Sequence, residues 1–290
     1  MITVKLMGGL GNQMFQYAAA KSLAVKKKTG LLLDLSSFDT TSASITKRQY
    51  DLSVFNIDED IITDEMLSRR NESSIPARVK NRLQPYYRKR YYNEPHFHFD
   101  ENFFKASSST TLVGYWQSER YFMNIADIIR KQFSLKKTPI GKSAALAELM
   151  AKVNAVSVHI RRGDYVNDPH TSKMHGSCTV EYYANAVEYI GKKFNDIQLF
   201  VFSDDIAWVK ENMKFCHPAV FVDNDDNEPA AVDLYLMSHC KHHIIANSSF
   251  SWWGAWLNDN RSKIVVAPSN WFGEFKADTR DLYPPGWIKF

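Results

Sequence analysis

The second half of the chain alternates short apolar segments with helical patterns, and this alternation limits the fold more than any other feature. The spacing predicts strands at 155–160, 198–202, 219–222, 243–246 and 263–267, and helices near 180–194, 206–213, 228–240 and 250–257. Strands that are apolar on both faces are typical of parallel sheets covered by helices on both sides. The pattern therefore predicts a doubly wound α/β domain, in which ligands bind beyond the carboxyl ends of the strands.

The first half follows the same plan less regularly. Strands are predicted at 2–7, 30–35 and 111–115, and helices at 12–28, 119–133 and 143–152, while the proline-interrupted stretch 36–109 has helical character only near 64–80. A length of 290 residues allows two domains. We predict a first domain at 1–140 and a second at 141–290, with the last ~20 residues as candidates for packing back on the first domain.

Composition excludes several classes of protein. Hydrophobic residues make up 44% and charged residues 23% of the chain, so neither a disordered nor a fibrous protein is expected. A net charge of +4 allows an anionic small-molecule ligand and is too small to indicate nucleic acid. Cys178, Cys216 and Cys240 follow no disulfide or metal spacing. With no signal-peptide or membrane-span pattern, we expect free thiols and a cytoplasmic protein, open to peripheral contact with the inner face of the membrane.

The segment VHIRRGDYV places two arginines at the end of a predicted buried strand. Strand alternation puts His159 and Arg161 on one face and Arg162 on the other. The planar guanidinium of Arg161 suits a phosphate at the strand end, whereas Arg162 is predicted to brace the loop around Asp164. The alternative is that both arginines pair with Asp164 or another acid and only fix the loop.

Two later strands also end in polar residues. Asn247, Ser248 and Ser249 precede a helix, whose N-terminal N–H groups and dipole favour a phosphate, although ordinary helix capping explains the same residues. Asp204 and Asp205 follow the strand at 198–202. An acid there commonly accepts a hydrogen bond from a ribose or a base, while Asp205 also fits a helix N-cap.

The N-terminal turn GGLGNQM does not match a known phosphate loop. It lacks the Lys and Ser/Thr of a P-loop, and Met14 stands where a dinucleotide fingerprint has its third glycine, which disfavours a nucleotide-dependent oxidoreductase. Gly9 and Gly11 still allow close approach of the backbone to a ligand, and Asn12 offers an amide at a helix start.

Other patterns predict no metal site. Asp223 and Asp225 have the DxD spacing of metal-dependent sugar transferases, but a solvated loop is the favoured interpretation. No zinc spacing fits the cluster of His239, Cys240, His242 and His243. The basic, tyrosine-rich segment 78–92 fits RNA, a membrane surface or an anionic glycan no better than a solvated face. The tryptophans at 252, 253 and 256 are expected to pack in the core.

Six segments occur in an order that resembles glycosyltransferase family 11, the α1,2-fucosyltransferases, in its bacterial form. They are GGLGNQMFQYA, GYWQSERYF, HIRRGDYV, HGSCTVEYY, FSDD and NSSFSWWGAWL. The resemblance implies a GT-B-like fold with two Rossmann-like domains, their parallel sheets facing a central cleft: an acceptor-side domain first and a GDP-fucose-binding domain second. It also implies inverting, metal-independent transfer of L-fucose from GDP-β-L-fucose to the 2-hydroxyl of a terminal galactose, with no cofactor. Such transfer belongs to the synthesis of surface polysaccharides or lipooligosaccharides.

The resemblance also assigns roles to the residues above. Arg161 would bind the β-phosphate, and Asn247, Ser248, Ser249 and the helix start would hold other donor oxygens. His159 and Asp204 would be the candidates for binding guanine and ribose. Asn12, with Gly9 and Gly11, would reach the donor from the first domain. The general base stays open among Asp164, Asp168 and His175. The acceptor would be a galactose-terminated oligosaccharide or lipid-linked glycan. The competing hypothesis is a non-catalytic carbohydrate- or nucleotide-binding protein.

Overall fold

Two parallel sheets, each in its own unit of the chain, make up the structure. The computed structural model describes residues 1–38, 48–63, 65–66, 79, 81–163, 176–223 and 228–290. One unit comprises Met1–Ser134 and Asp278–Pro284, and the other comprises Leu135–Ala277 and Pro285–Phe290. Two α/β units with parallel sheets confirm the predicted GT-B-like fold class.

The first unit is built around the buried strand that opens the chain. Its strands are β1 (Ile2–Lys5), β2 (Leu31–Asp34), β3 (Asp60–Ile61), β4 (Tyr91–Asn93) and β5 (Thr111–Val113), in the sheet order β3-β2-β1-β5-β4. This unit also contains the helices α1 (Leu10–Lys27) and α2 (Ala126–Gln132). Met14, Phe15 and Leu23 of α1 are fully buried, as the helical spacing predicts. In the described part of the chain, no helix is both long and apolar enough to span a membrane.

The predicted helix at 119–133 is wrong in its first half. Two 3-10 turns, Glu119–Tyr121 and Met123–Ile125, precede α2. Tyr121 and Phe122 are adjacent in sequence, yet both are fully buried. The backbone of Phe122 leaves helical geometry at φ −140° and ψ 2°. The hydroxyl of Tyr121 accepts the N–H of Asp100 at 2.9 Å, so a contact from outside the segment holds this turn.

The second unit contains the longer sheet. Its strands are β6 (Asn154–Ile160), β7 (Ile197–Ser203), β8 (Ala219–Phe221), β9 (His242–Ile244), β10 (Val265–Ala267) and β11 (Ile288–Lys289). This unit also contains the helices α3 (Gly141–Lys152), which precedes β6, and α4 (Val180–Gly191), α5 (Ile206–Asn212), α6 (Ala230–His239) and α7 (Ser249–Leu257), which follow it. The sheet order β11-β10-β9-β6-β7-β8 puts β6 in the interior, with β9 and β7 as its neighbours.

Both faces of β6 and β7 are buried, as the apolar strand patterns predict. On one face, Val156, Val158 and Ile160 pack with residues of α4 and α5. On the other face, Ala155 and Phe200 pack with residues of α3 and α6. This two-sided coverage leaves the carboxyl ends of the strands as the edge where polar side chains can meet a ligand.

The tryptophans of α7 belong to the interior of this unit. Trp252 and Trp253 are fully buried, with ring centroids 5.1 Å apart, and Trp256 is 4% exposed. Helix α6 lies so close to α7 that a Cβ on Gly254 would stand 2.9 Å from the Met237 side chain. These rings therefore pack the core and offer no exposed face for a sugar.

Candidate functional site

Three neighbouring strand ends bring the predicted donor residues of the second unit together. The register places Ile160 of β6 opposite Ser203 of β7, and Val158 of β6 opposite Ile244 of β9. Arg161 therefore follows β6 between Asp204 and the segment that starts α7. Motifs more than forty residues apart in sequence thus meet at one edge of the sheet, because the strands that precede them are parallel and end there.

Asp204 is the centre of the contacts after β6. Its Oδ2 lies 2.8 Å from Nη1 of Arg161, and both side chains are 24% exposed. The carboxylate also accepts the backbone N–H of Arg162 at 2.8 Å and of Gly163 at 2.9 Å. A Cβ at position 163 would stand 2.7 Å from Oδ2, which explains the glycine. Asp204 thus fixes the turn and pairs with Arg161, a contact that agrees with the alternative interpretation, in which the arginines pair with an acid.

Arg162 lies on the other face of the strand end. Its guanidinium carbon stands 3.5 Å from the ring centre of Trp208 in α5, and its Nε is 3.6 Å from Oδ2 of Asp205. Asp205 in turn caps α5 by accepting the Trp208 N–H at 3.2 Å. The contacts of Arg162 therefore join the β6 turn to α5, while Asp164, its expected neighbour, lies outside the described residues. The contact with Trp208 was not predicted from the sequence, because only the fold places this ring under Arg162.

His159 is buried on the face opposite to Arg162. Its ring centre lies 5.7 Å from that of Phe250 at the start of α7. The HIRRGDYV and NSSFSWWGAWL segments are therefore in contact. Its Nδ1 has no hydrogen-bond partner among the described residues. Burial, followed by the positive charge of Arg161, lowers the pKa of His159 to about 3, against the opposing effect of Asp204. The imidazole is therefore neutral near pH 7, and its buried Nδ1 is unpaired among the described residues.

We expect His159 to make the protein less stable in mild acid. The unfolded chain protonates this residue below about pH 6.5, whereas the folded chain resists protonation until pH is near its lowered pKa of about 3. Stability contributed by the neutral ring is therefore lost as pH falls through this window. Between pH 7 and pH 5 the wild type should lose about 2 kcal/mol more unfolding free energy than His159→Gln.

Urea unfolding at pH 5, 6 and 7 measures this difference. His239→Gln, which removes an exposed histidine from α6, is the matched control. Equal pH dependence of the wild type and His159→Gln would contradict a buried neutral imidazole.

The polar segment 247–249 has two roles. Asn247 holds two loops, whereas Ser248 and Ser249 form the start of α7. The buried Asn247 Nδ2 donates to the carbonyls of Gly176 at 3.1 Å and Trp271 at 3.3 Å, and its Oδ1 accepts from the Cys178 thiol at 3.6 Å. Burial raises the pKa of that thiol to about 11, so it stays protonated and can donate. The amide of Asn247 thus joins two loops beside β9.

The two serines lie at the N-terminus of α7. Ser248 is the N-cap, and its hydroxyl oxygen accepts the N–H of Phe250 at 3.3 Å. Ser249 is the first helical residue. Ordinary capping is therefore present at Ser248, and the binding of donor oxygens by these serines stays a prediction.

The glycine turn of the first unit is held by buried glutamines. Gly8 has φ +77°, a left-handed conformation that favours glycine, and Gly9 precedes α1 as its N-cap. Gln13 Nε2 donates to the Gly8 carbonyl at 2.9 Å, and the amide of Gln16 bonds both backbone groups of Met7. These contacts give a structural reason for the NQMFQ pattern.

Gln117 is a residue that sequence reasoning missed. Its Nε2 donates to Oδ1 of Asn12 at 2.7 Å, which fixes the amide of Asn12 next to Gly11 in the first turn of α1. The contact forms because Gln117 follows β5, the neighbour of β1 in the sheet. Its place in the GYWQSERYF segment, directly after a predicted strand, was the available signal. How Asn12 contributes to donor binding stays a prediction.

The three candidates for the general base, Asp164, Asp168 and His175, lie outside the described residues. Asp225 of the DxD pattern also lies outside them. Asp223 is described, and its backbone carbonyl accepts a hydrogen bond from Lys142. The structure therefore does not distinguish among the candidate bases.

The histidine-rich junction consists of separate hydrogen bonds. His243 bonds Ser157 at 2.8 Å and Asn258 at 2.9 Å through its two ring nitrogens. His242 Nδ1 accepts the Ile264 N–H, and His239 Nδ1 bonds the Tyr235 carbonyl. Within the described ranges, no three His, Cys, Asp or Glu side chains are placed to share a metal ion.

The described end of the basic segment 78–92 is partly internal. Tyr92 on β4 is fully buried, and its hydroxyl hydrogen-bonds the buried Asp100. Tyr86 donates to the same carboxylate at 3.1 Å. Tyrosines of this segment therefore hold β4 in the first unit, a role that the alternatives weighed from sequence did not include.

Sequence comparison places this geometry within a family. The chain matches the family described as "Glycosyl transferase family 11" over residues 1–290. It is 35% identical over 300 residues to an "Alpha-1,2-colitosyltransferase" of Escherichia coli, covering 99% of this chain and 98% of the relative. It is 37% identical over 284 residues to the "O-antigen biosynthesis glycosyltransferase WbnK" of Escherichia coli, covering 92% and 93%. A "Galactoside 2-alpha-L-fucosyltransferase" of Caenorhabditis elegans is 26% identical, covering 100% and 79%.

A solved structure shares the fold. Arabidopsis thaliana FUT1, determined in complex with GDP, superposes with a TM-score of 0.53 and 12% sequence identity. The match covers 99% of this chain and 75% of that chain. At this identity the likeness concerns the fold, while the family follows from the match over the whole sequence. The chain is therefore a glycosyltransferase that belongs to glycosyl transferase family 11.

Proposed function

We propose that this glycosyltransferase transfers L-fucose from GDP-β-L-fucose to the 2-hydroxyl of a terminal galactose, with inversion and without a metal. The observation that carries the proposal is the position of Arg161 at the carboxyl end of β6, oriented by Asp204 and adjacent to the start of α7. A fucosyltransferase among the relatives supports the choice of sugar. The name of WbnK supports a place in O-antigen or other surface-glycan synthesis.

The residues at this edge suit a diphosphate leaving group. When the bond between the sugar and GDP breaks, negative charge grows on the β-phosphate, and preorganised donors that face it stabilise the transition state. Arg161 supplies a guanidinium that Asp204 already holds in place, so little reorganisation is needed. The N–H and the hydroxyl of Ser249, the first residue of α7, would add neutral donors.

The neutral imidazole of His159 would serve recognition of the nucleotide. It is buried next to Phe250, and its unused Nδ1 can accept or donate one hydrogen bond according to the tautomer. A guanine edge offers both donors and acceptors. The base that takes the proton from the acceptor hydroxyl remains to be chosen among Asp164, Asp168 and His175.

Colitose is the second candidate sugar, because the Escherichia coli α1,2-colitosyltransferase is similar over nearly the whole chain. Colitose lacks one hydroxyl group of L-fucose. A site built to hydrogen-bond that hydroxyl would discriminate strongly against colitose, whereas a site without such a contact would accept both. Parallel assays with GDP-fucose and GDP-colitose separate the two cases by the ratio of kcat/KM.

We expect transfer from GDP-fucose to β-galactosides to proceed at an unchanged rate in excess EDTA. The reason is that Arg161 and the α7 terminus supply the charge stabilisation that a divalent ion supplies in DxD enzymes. GDP release and linkage analysis of the product by NMR measure the reaction. Loss of activity in EDTA would restore the metal interpretation of Asp223 and Asp225.

A panel of galactoside acceptors, assayed with both donors, tests whether the protein transfers fucose or colitose to galactose. Absence of GDP release with every acceptor and either donor would contradict the proposed function. If GDP-fucose then bound without turnover, the non-catalytic binding protein would be the better description.

A further inference from the structure

A cavity lies at the same edge of the second sheet, on the side of β9 away from β6. Its volume is about 550 Å³, and its walls come from the loops after β9 and β10, the start of α4 and the C-terminal residue Phe290. This size falls in the range of small-molecule sites. Of the predicted donor residues that the structure describes in the second unit, Asn247 lines this cavity, whereas His159, Arg161, Asp204, Ser248 and Ser249 do not.

The loops around the cavity are held by Asn247, which also lines it. Its amide bonds the carbonyls of Gly176 and Trp271, one in each loop, and accepts from Cys178. A Cβ on Gly176 would stand 3.6 Å from the backbone of Gly273, so the two loops pack directly against each other. The walls are therefore prearranged by internal hydrogen bonds.

The chemistry of the walls points to a neutral, hydroxyl-rich ligand. Amides and hydroxyls of Ser177, Asn185, Ser269 and Asn270 line the cavity together with one carboxylate, Glu181. Among the described residues that line it, none is lysine, arginine or histidine. The described walls thus offer a diphosphate no cation, whereas sugar hydroxyls can bond amides and a carboxylate. The ring of Phe272 adds an apolar surface for the C–H face of a sugar.

The start of α4 does not turn this cavity into an anion site. The Thr179 side chain caps the helix by accepting the Tyr182 N–H at 3.1 Å. Glu181 in the first helical turn sets a negative charge against the positive end of the helix dipole. An anionic ligand would meet that carboxylate at the mouth of the cavity.

We propose that this cavity binds a neutral sugar unit of the acceptor glycan. The assignment rests on the proposed function. It assumes that the donor sugar is bound at the ends of β6 and β7, on the other side of β9 from this cavity. Asn247 lines the cavity and is followed directly by Ser248 at the start of α7, so the two sites share a wall. The acceptor would then contact the second unit.

Two conservative variants with matched controls test the proposal. Glu181→Gln and Asn185→Ala remove hydrogen-bonding groups from the wall. Glu188→Gln, on the same helix α4, and the exposed Asn212→Ala on α5 make equivalent changes away from the cavity. We expect the wall variants to raise the acceptor KM about fivefold or more and to leave the donor KM unchanged, while both controls behave as the wild type.

Saturation-transfer NMR with methyl β-D-galactoside, without donor, gives a readout that does not require turnover. The wall variants should weaken its binding about as much as they raise the acceptor KM, and should leave GDP binding unchanged. Unaltered galactoside binding in both variants of a folded protein would overturn the assignment. Weaker GDP binding in Glu181→Gln and Asn185→Ala would indicate that the nucleotide binds in this cavity instead. Failure of the proposed function would appear separately, as galactoside binding with no transfer in the wild type.

Discussion

Arg161→Ala is expected to lower kcat for fucosyl transfer by about 10²–10³, the loss that follows removal of one preorganised donor to a developing negative charge. Arg161→Lys should retain the charge and still lose about tenfold or more, because an ammonium cannot reproduce the planar fork that Asp204 orients. Steady-state kinetics with GDP-fucose and a β-galactoside measure both variants. The acceptor KM should change little, since the substitution removes a contact to the leaving group.

Arg162→Lys is the matched control, because it makes the same change one residue along the strand end. Arg162 stacks on Trp208, on the face opposite to the predicted donor side, so its loss should affect turnover less than about threefold. Far-UV circular dichroism confirms that each variant is folded. Near-normal turnover of Arg161→Lys together with loss of turnover in Arg162→Lys would reverse the two assignments.

Trp252→Ala is expected to destabilise the second unit by about 3–5 kcal/mol, the range for deletion of a large buried aromatic side chain. Trp252 is fully buried, and its ring lies 5.1 Å from that of Trp253 and 5.5 Å from that of Trp287. Its removal leaves a cavity beneath the helix that carries Ser248 and Ser249 at its start. Urea unfolding followed by far-UV circular dichroism measures the change, because this signal does not depend on tryptophan.

Phe275→Ala provides the comparison for Trp252. Its side chain is 52% exposed in the same unit, so its loss should change stability by less than about 1 kcal/mol. Similar destabilisation by both substitutions would contradict the assignment of Trp252 to the core. Tight galactoside binding that disappears in Trp252→Ala without loss of stability would instead revive a sugar-stacking role.

The sequence alone predicted the regular part of the fold. Strands β6 and β7 are apolar on both faces, and their predicted bounds differ from the structure by one residue at most. The short strands β3, β4 and β11 were missed, since two or three residues carry too little periodicity. The helix predicted at 119–133 failed in its first half, where tertiary contacts such as the hydrogen bond from the Asp100 N–H to the Tyr121 hydroxyl override the local helical pattern.

The candidate site divides in the same way. Strand alternation in the sequence determined that Arg161 and Arg162 face opposite sides, because side chains on a strand alternate whatever the fold around them. Only the tertiary structure placed Asp204 against Arg161, Trp208 under Arg162 and Gln117 on Asn12. Each of these contacts joins segments that are neighbours only through the strand order of a sheet. A residue pattern records local geometry, whereas the partner of a charged side chain depends on which strands lie side by side.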